Sequence, residues 1–319
     1  LVGGGYGWPR IVVNAGTADH WSFEQAAPVF SEGKPIRLTR NEILGGDCWH
    51  DMGYPYPSFV DWDGDGLPDL IIPNETNRIF WYRNEGTREQ PRFGPRQQVL
   101  CDGYPDSPDK RAKTARLAND DKTPNNPYPY QEDEPFFWRT GAGFADLNGD
   151  GLMDMVTLDG GKRQLTLFCQ YIGEDGQRHL KDAGLLRLND GRAIDDSIVR
   201  RGAHWTESFR CVDWDGDGLW DIIYSCAGTR PQDGSIYLLR NCGTKDSPVF
   251  EPPVTLCCFG EPIKVTDHGP HPALADLDGD GRPDILTCVE WSVYPYYSHA
   301  AIQMPERPDY DLGPPHPLQ

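Results

Sequence analysis

The stretch Asp61-Trp62-Asp63-Gly64-Asp65-Gly66-Leu67-Pro68-Asp69 places carboxylates at positions 1, 3, 5 and 9 of a nine-residue run and glycines at positions 4 and 6. Oxygen side chains at those positions converge on one point only if the run wraps around it. Glycine supplies the backbone conformations that such a wrap needs. Four carboxylates held that close repel one another, and a hard divalent cation with six to eight oxygen ligands relieves the repulsion. Calcium is the natural occupant.

The run recurs without gaps as Asp146-Leu-Asn-Gly-Asp-Gly-Leu-Met-Asp154, Asp213-Trp-Asp-Gly-Asp-Gly-Leu-Trp-Asp221 and Asp276-Leu-Asp-Gly-Asp-Gly-Arg-Pro-Asp284. The starts lie 85, 67 and 63 residues apart, so the chain is a repeat array. An EF-hand would need Glu at loop position 12, where Ile72, Thr157, Tyr224 and Thr287 stand. Each run leads instead into a strand-like segment: Leu70-Ile71-Ile72, Met155-Val156-Thr157, Ile222-Ile223-Tyr224 and Ile285-Leu286-Thr287.

A second element follows downstream. Phe80-Trp81-Tyr82-Arg83-Asn84-Glu85-Gly86-Thr87 leads to Phe93, and Tyr237-Leu238-Leu239-Arg240-Asn241-Cys242-Gly243-Thr244 leads to Phe250, each nine residues after the Asn. A looser copy, Ile11-Val12-Val13-Asn14-Ala15-Gly16-Thr17, is read as leading to Phe30. One unit is then strand A, acidic loop, strand B, strand C, turn and strand D, the four-stranded blade of an all-β propeller with its acidic loops between strands A and B.

These residues resemble the FG-GAP or VCBS repeats of integrin-type and bacterial secreted propellers. The resemblance covers nearly the whole chain. It implies up to four structural calcium ions, held by Asp61, Asp63, Asp65, Leu67 and Asp69; by Asp146, Asn148, Asp150, Leu152 and Asp154; by Asp213, Asp215, Asp217, Leu219 and Asp221; and by Asp276, Asp278, Asp280, Arg282 and Asp284. At Leu67, Leu152, Leu219 and Arg282 the ligand is the backbone carbonyl. Asn148 keeps an oxygen ligand and loses a charge.

Read as one propeller domain over residues 1–319, the chain divides into units near 1–45 (partial), 46–130, 131–200, 201–262 and 263–319. That gives about five blades, or part of a larger ring. The last unit has room for all four strands.

Composition bounds the partners. With 49 Asp and Glu against 30 Lys and Arg, the formal charge of −19 argues against nucleic acid, whose phosphates need a basic surplus. No apolar run is long enough to span a membrane, and no leader-like start is seen; the calcium loops suit extracellular or periplasmic calcium levels. Nine cysteines with no CxxC pair leave at least one thiol unpaired. Several stand in strand-like runs as small hydrophobes.

Segments leading into strand A lie at the end of the blades opposite the acidic loops, nearest the propeller axis. They carry Trp49, His50, Asp51, Tyr54 and Tyr56; Glu134, Trp138 and Arg139; Arg201, His204, Trp205 and Glu207; and Asp267, His268 and His271. Blades bring unlike groups at such positions around one axis, the arrangement of a composite pocket. Trp49, Trp138 and Trp205 would offer flat faces to sugars. Two insertions, 101–143 and 180–205, read as long loops over this face, and the second carries Arg187, Arg192, Arg200 and Arg201.

The chemistry that fits is β-elimination on an acidic, uronate-containing polysaccharide by a carbon–oxygen lyase. His204 or His50 would be the base, Arg139 and Arg201 the carboxylate partners and Tyr54 the acid, with His268 and His271 assisting. Rhamnogalacturonan lyases and the propeller part of aldos-2-ulose dehydratase have propellers of this kind. The alternatives are a non-catalytic, calcium-dependent glycan-binding or adhesion propeller, and a propeller that binds other proteins. A further metal could sit among His50, His204, His268 and His271.

Overall fold

The computed structural model describes residues 5–17, 20–48, 51–120, 132–199, 207–227, 234–265, 270–289, 292–296 and 310–311. The architecture is all-β in character, made of antiparallel meanders with two α-helices among the described residues. The chain divides into two compact units: Leu1–Ala15, Ser22–Thr140 and Gly151–Gly184 form the first, and Gly16–Trp21, Gly141–Asp150 and Leu185–Gln319 the second.

In the first unit, strands Ser58–Val60, Asp69–Ile72, Phe80–Tyr82 and Gln97–Gln98 pair in chain order. Val60 faces Asp69, so the acidic run closes the hairpin between the first two strands. Every residue of Asp69–Ile72 is buried, which explains why this segment reads as a continuous apolar run and not an alternating one. Strands Asp154–Leu158, Leu165–Ile172 and Arg178–Leu185 form further neighbours in a sheet whose outer member is Leu100–Cys101.

The second unit repeats the plan. Ser208–Val212, Asp221–Ser225, Ile236–Leu239 and Val254–Cys258 pair in chain order, with Val212 opposite Asp221. Ala273–Ala275, Asp284–Val289 and Ser292–Tyr296 begin another meander, with Ala275 opposite Asp284. Trp214, Ile223, Leu238, Leu256 and Ile285 pack as one core joining the two sheets.

Successive sheets are laced along their outer edges by parallel pairing. Ser31 pairs with Phe93 and Leu100 with His179 in the first unit; Leu188 pairs with Phe250 and Leu256 with Tyr310 in the second. At these four places the outer edge is covered instead of left unpaired.

Several expectations are corrected. The loose N-terminal copy of the turn pairs Asn14 with Phe23, nine residues on as in the other copies, and Phe30 belongs to a separate hairpin, Phe30–Ser31 with Lys34–Pro35. Insertion 101–143 is not all loop, because Pro108–Asp120 is an α-helix. Pro108 fits the first helical position, and the Ser107 hydroxyl accepts the Lys110 N–H at 3.2 Å, so Ser-Pro-Asp is a capping signal. In the last repeat, Tyr310–Asp311 pairs in parallel with Val254–Cys258 of the preceding sheet. No helix among the described residues is long and apolar enough to cross a membrane. The described cysteines form no disulfide, and Cys48, Cys226 and Cys257 are buried.

Candidate functional site

The acidic loops share one construction. Positions 4 and 6 are left-handed in all four, as at Gly64 (φ 74°) and Gly66 (φ 88°), the conformation for which glycine is needed. The position-1 carboxylate accepts the N–H of position 6, from Gly66 to Asp61 and from Gly218 to Asp213 at 3.0 Å each.

Position 9 turns inward and works as a clasp. Asp69 accepts the Trp62 N–H at 3.2 Å and the Asn84 N–H at 2.7 Å; Asp221 accepts those of Trp214 at 3.0 Å and Asn241 at 2.7 Å. One buried carboxylate thus ties the loop to the turn after strand C. Burial raises the Asp69 carboxyl to about 6 and Asp221 to about 7; the backbone donors lower them, and the neighbouring loop charges raise them further.

Three loops bring carboxylates together. Asp61, Asp63 and Asp69, then Asp213, Asp215 and Asp221, then Asp276, Asp278 and Asp280 each place three carboxylate oxygens within 4.8 Å of one another. In the first and third loops, Asp61 Oδ1, Asp213 Oδ1 and Asp215 Oδ1 are buried without a hydrogen-bond partner. Buried, unsatisfied, hard oxygen donors are what a calcium ion would complete, so these two loops fit the cation. The fourth loop is exposed, and Arg282 sits on its Asp280 at 2.6 Å. In the second, the Asn148 amide donates to Asp150 Oδ2 at 2.9 Å, so a neutral group occupies part of the work of a cation.

An arginine at the same repeat position reaches back to each fitting loop. Arg83 Nε lies 2.7 Å from Asp63 and its Nη2 3.0 Å from Asp65; Arg240 bonds Asp215. Sequence reasoning missed this pair, although the shared Arg-Asn of Arg83-Asn84 and Arg240-Asn241 was in view. The fork becomes readable only once strand C is in register beside the loop. The Leu67 N–H holds the Asp65 carboxyl below its usual value, with Arg83 adding to the effect.

A second constellation lies in the first unit. Glu75 is fully buried between two arginines, with Arg40 Nε and Arg139 Nη2 3.1 and 2.9 Å from its Oε1, while the Gly53 N–H donates to Oε2 at 2.7 Å. The Arg40 guanidinium stacks on Trp138 at 4.4 Å, and that of Arg139 lies over Tyr54 at 5.4 Å. Tyr54 (φ 38°) and Arg139 (φ 53°) are both left-handed. Tyr54 also precedes Pro55, a setting that favours extended backbone, so its conformation is strained. Gly53 is required beside it, since a Cβ there would meet the Leu38 carbonyl oxygen at 2.1 Å.

The structure therefore brings Tyr54, Trp138 and Arg139 together and adds Arg40 and Glu75, which the sequence did not signal. It also changes two of the expected roles. Trp138 is 1% exposed and covers a guanidinium, so it offers no open face to a sugar. Arg139 is 2% exposed and bonded to Glu75, so its charge is already answered inside the protein. His271 is half-buried. Trp49, His50, Arg201, His204, Trp205 and His268 lie outside the described residues. In the second insertion Arg192 pairs with Asp190, and Arg187 donates to the Gly191 carbonyl.

Residues 213–287 match the FG-GAP-like repeat family. No curated protein matches the chain. Among solved structures the chain is similar to an Agrocybe aegerita lectin, whose structure concerns specific recognition of non-reducing terminal N-acetylglucosamine. The identity is 17% and the TM-score 0.35, with 76% of this chain and 48% of that one covered. The chain spans about half the length of that lectin structure.

Proposed function

We propose that this chain is a calcium-stabilised propeller of FG-GAP-like repeats that binds glycans outside the cytoplasm. Recurring meanders in one register, parallel lacing of their outer edges and the family match over residues 213–287 support the propeller reading. The observation that carries the calcium reading is the set of buried, unpartnered oxygens on Asp61, Asp213 and Asp215. Calcium is held first by the loops at 61–69 and 213–221, with the Asn148 loop and the exposed 276–284 loop filling weakly. When bound, the ion supplies charge neutralisation and fixes the turn between strands A and B.

Binding without cleavage is favoured because Arg139, one of the two carboxylate partners expected for elimination, is spent on Glu75. A glycan array run in calcium tests this reading: ligand recovered unchanged supports it, and an absence of any bound glycan overturns it.

The lyase is the second reading, supported by the strained, adjacent Tyr54 and Arg139, because such strain concentrates at functional sites. Incubation with a panel of uronate polysaccharides decides between the two. An unsaturated, ultraviolet-absorbing product establishes the lyase.

A further inference from the structure

In the second unit a cleft of about 220 Å³ opens at the acidic-loop end, lined among others by Asp146, Leu147, Asp213, Trp220, Asn241 and Lys245. Two of its groups are uncommitted. Trp220 is 40% exposed, unusual for the largest apolar side chain. The Lys245 ammonium has no carboxylate partner among the described residues of a chain that carries a charge of −19. An aromatic face and a cation thus meet in one cleft.

The feature belongs to one repeat alone. Position 8 of the acidic loops is Pro68, Met153, Trp220 and Pro283, so only the third loop projects an aromatic ring there. A turn without a ligand gains nothing from a large apolar ring in water, and proline at two of the equivalent positions meets the needs of the backbone.

We infer that this cleft is a pyranose-binding site, in which Trp220 stacks on the C–H face of one sugar ring and Lys245 donates to a ring substituent. A carboxylate substituent would pair best with Lys245, which favours a hexuronate over its neutral parent. This rests on the glycan-binding reading and places it at the acidic-loop end of the second unit.

The full chain in calcium is titrated with the methyl glycosides of glucose, galactose and their uronates, following tryptophan fluorescence, and is applied to the glycan array. Binding should weaken about tenfold in Trp220→Ala and stay near wild type in Trp220→Phe. Lys245→Gln should narrow the preference for uronate over neutral glycoside. Melting temperatures should not change, because both side chains lie in exposed turns. Array binding that survives unchanged in Trp220→Ala overturns this site and leaves the glycan reading standing; a wild-type chain that binds nothing overturns both.

Discussion

A single carboxylate, position 9 of the acidic loop, clasps the fold and, on the proposed calcium reading, serves the ion as well. Asp69 and Asp221 accept two backbone N–H groups each, so Asp→Asn at either leaves one N–H facing another donor. The expected cost is about 1–3 kcal/mol in urea denaturation with chelator present. The same residues predict a pH dependence. In the folded, metal-free chain they titrate near about 6 and about 7, against about 3.9 when unfolded, so the folded state binds their protons more tightly. Their contribution is complete below about pH 4 and is lost as pH rises through 6 to 7. Calcium favours the ionised form and reverses the loss. The gap in melting temperature between calcium-loaded and chelated protein should widen from pH 5 to pH 8; a gap of constant size would remove these carboxylates from calcium binding. Glu75 follows a different logic. Glu75→Gln leaves Arg40 and Arg139 without their buried anion, and about 3–5 kcal/mol of destabilisation is expected by the same measurement.

Elements in this chain are set by a few exacting positions. In the Asn-x-Gly-Thr turn, the Asn241 side-chain oxygen accepts the N–H groups of Gly243 and Val249, and a Cβ on Gly243 would stand 2.3 Å from the Ser247 carbonyl oxygen. Gly243→Ala should therefore open the turn and cost about 1–3 kcal/mol in a urea melt, while a Cys242→Ala control, exposed in the same turn, should change little. What was legible in the sequence follows the same division. Acidic loops, strand B and the Asn turns repeat, so local spacing alone exposes them. Even the mistaken partner of Asn14 obeys the nine-residue rule once Phe23 is recognised. The Pro108–Asp120 helix was missed because its polar face dominates the pattern, although Ser107-Pro108-Asp109 marks its start. The Arg40–Glu75–Arg139 cluster was illegible because its members lie far apart in sequence and share no period. Only the fold brings them together, and it turned Trp138 and Arg139 from expected ligand contacts into interior groups.

At the scale of the whole molecule, the charge of −19 and the division into two compact units give one joint expectation. Each unit holds one loop whose donor set fits calcium: Asp61–Asp69 in the first, Asp213–Asp221 in the second. Two ions, not four, should therefore bind tightly, bringing the formal charge to about −15 and relieving part of the self-repulsion of an acidic compact state. Isothermal titration of chelator-stripped protein should give a stoichiometry near two, falling to one in Asp61→Asn and in Asp213→Asn, with four tight sites or none overturning the assignment. An ion that binds only the folded state should, at about a hundred times its dissociation constant, stabilise the unit that holds it by about 2.7 kcal/mol. Units that unfold independently would then show two transitions in calorimetry, and each variant would lower one of them while leaving the other in place. Units that unfold as one would instead show a single transition, lowered by either substitution and lowered further by both. The double variant thus reports whether the stability of one unit depends on the other, the behaviour of a repeat fold whose neighbours stabilise one another.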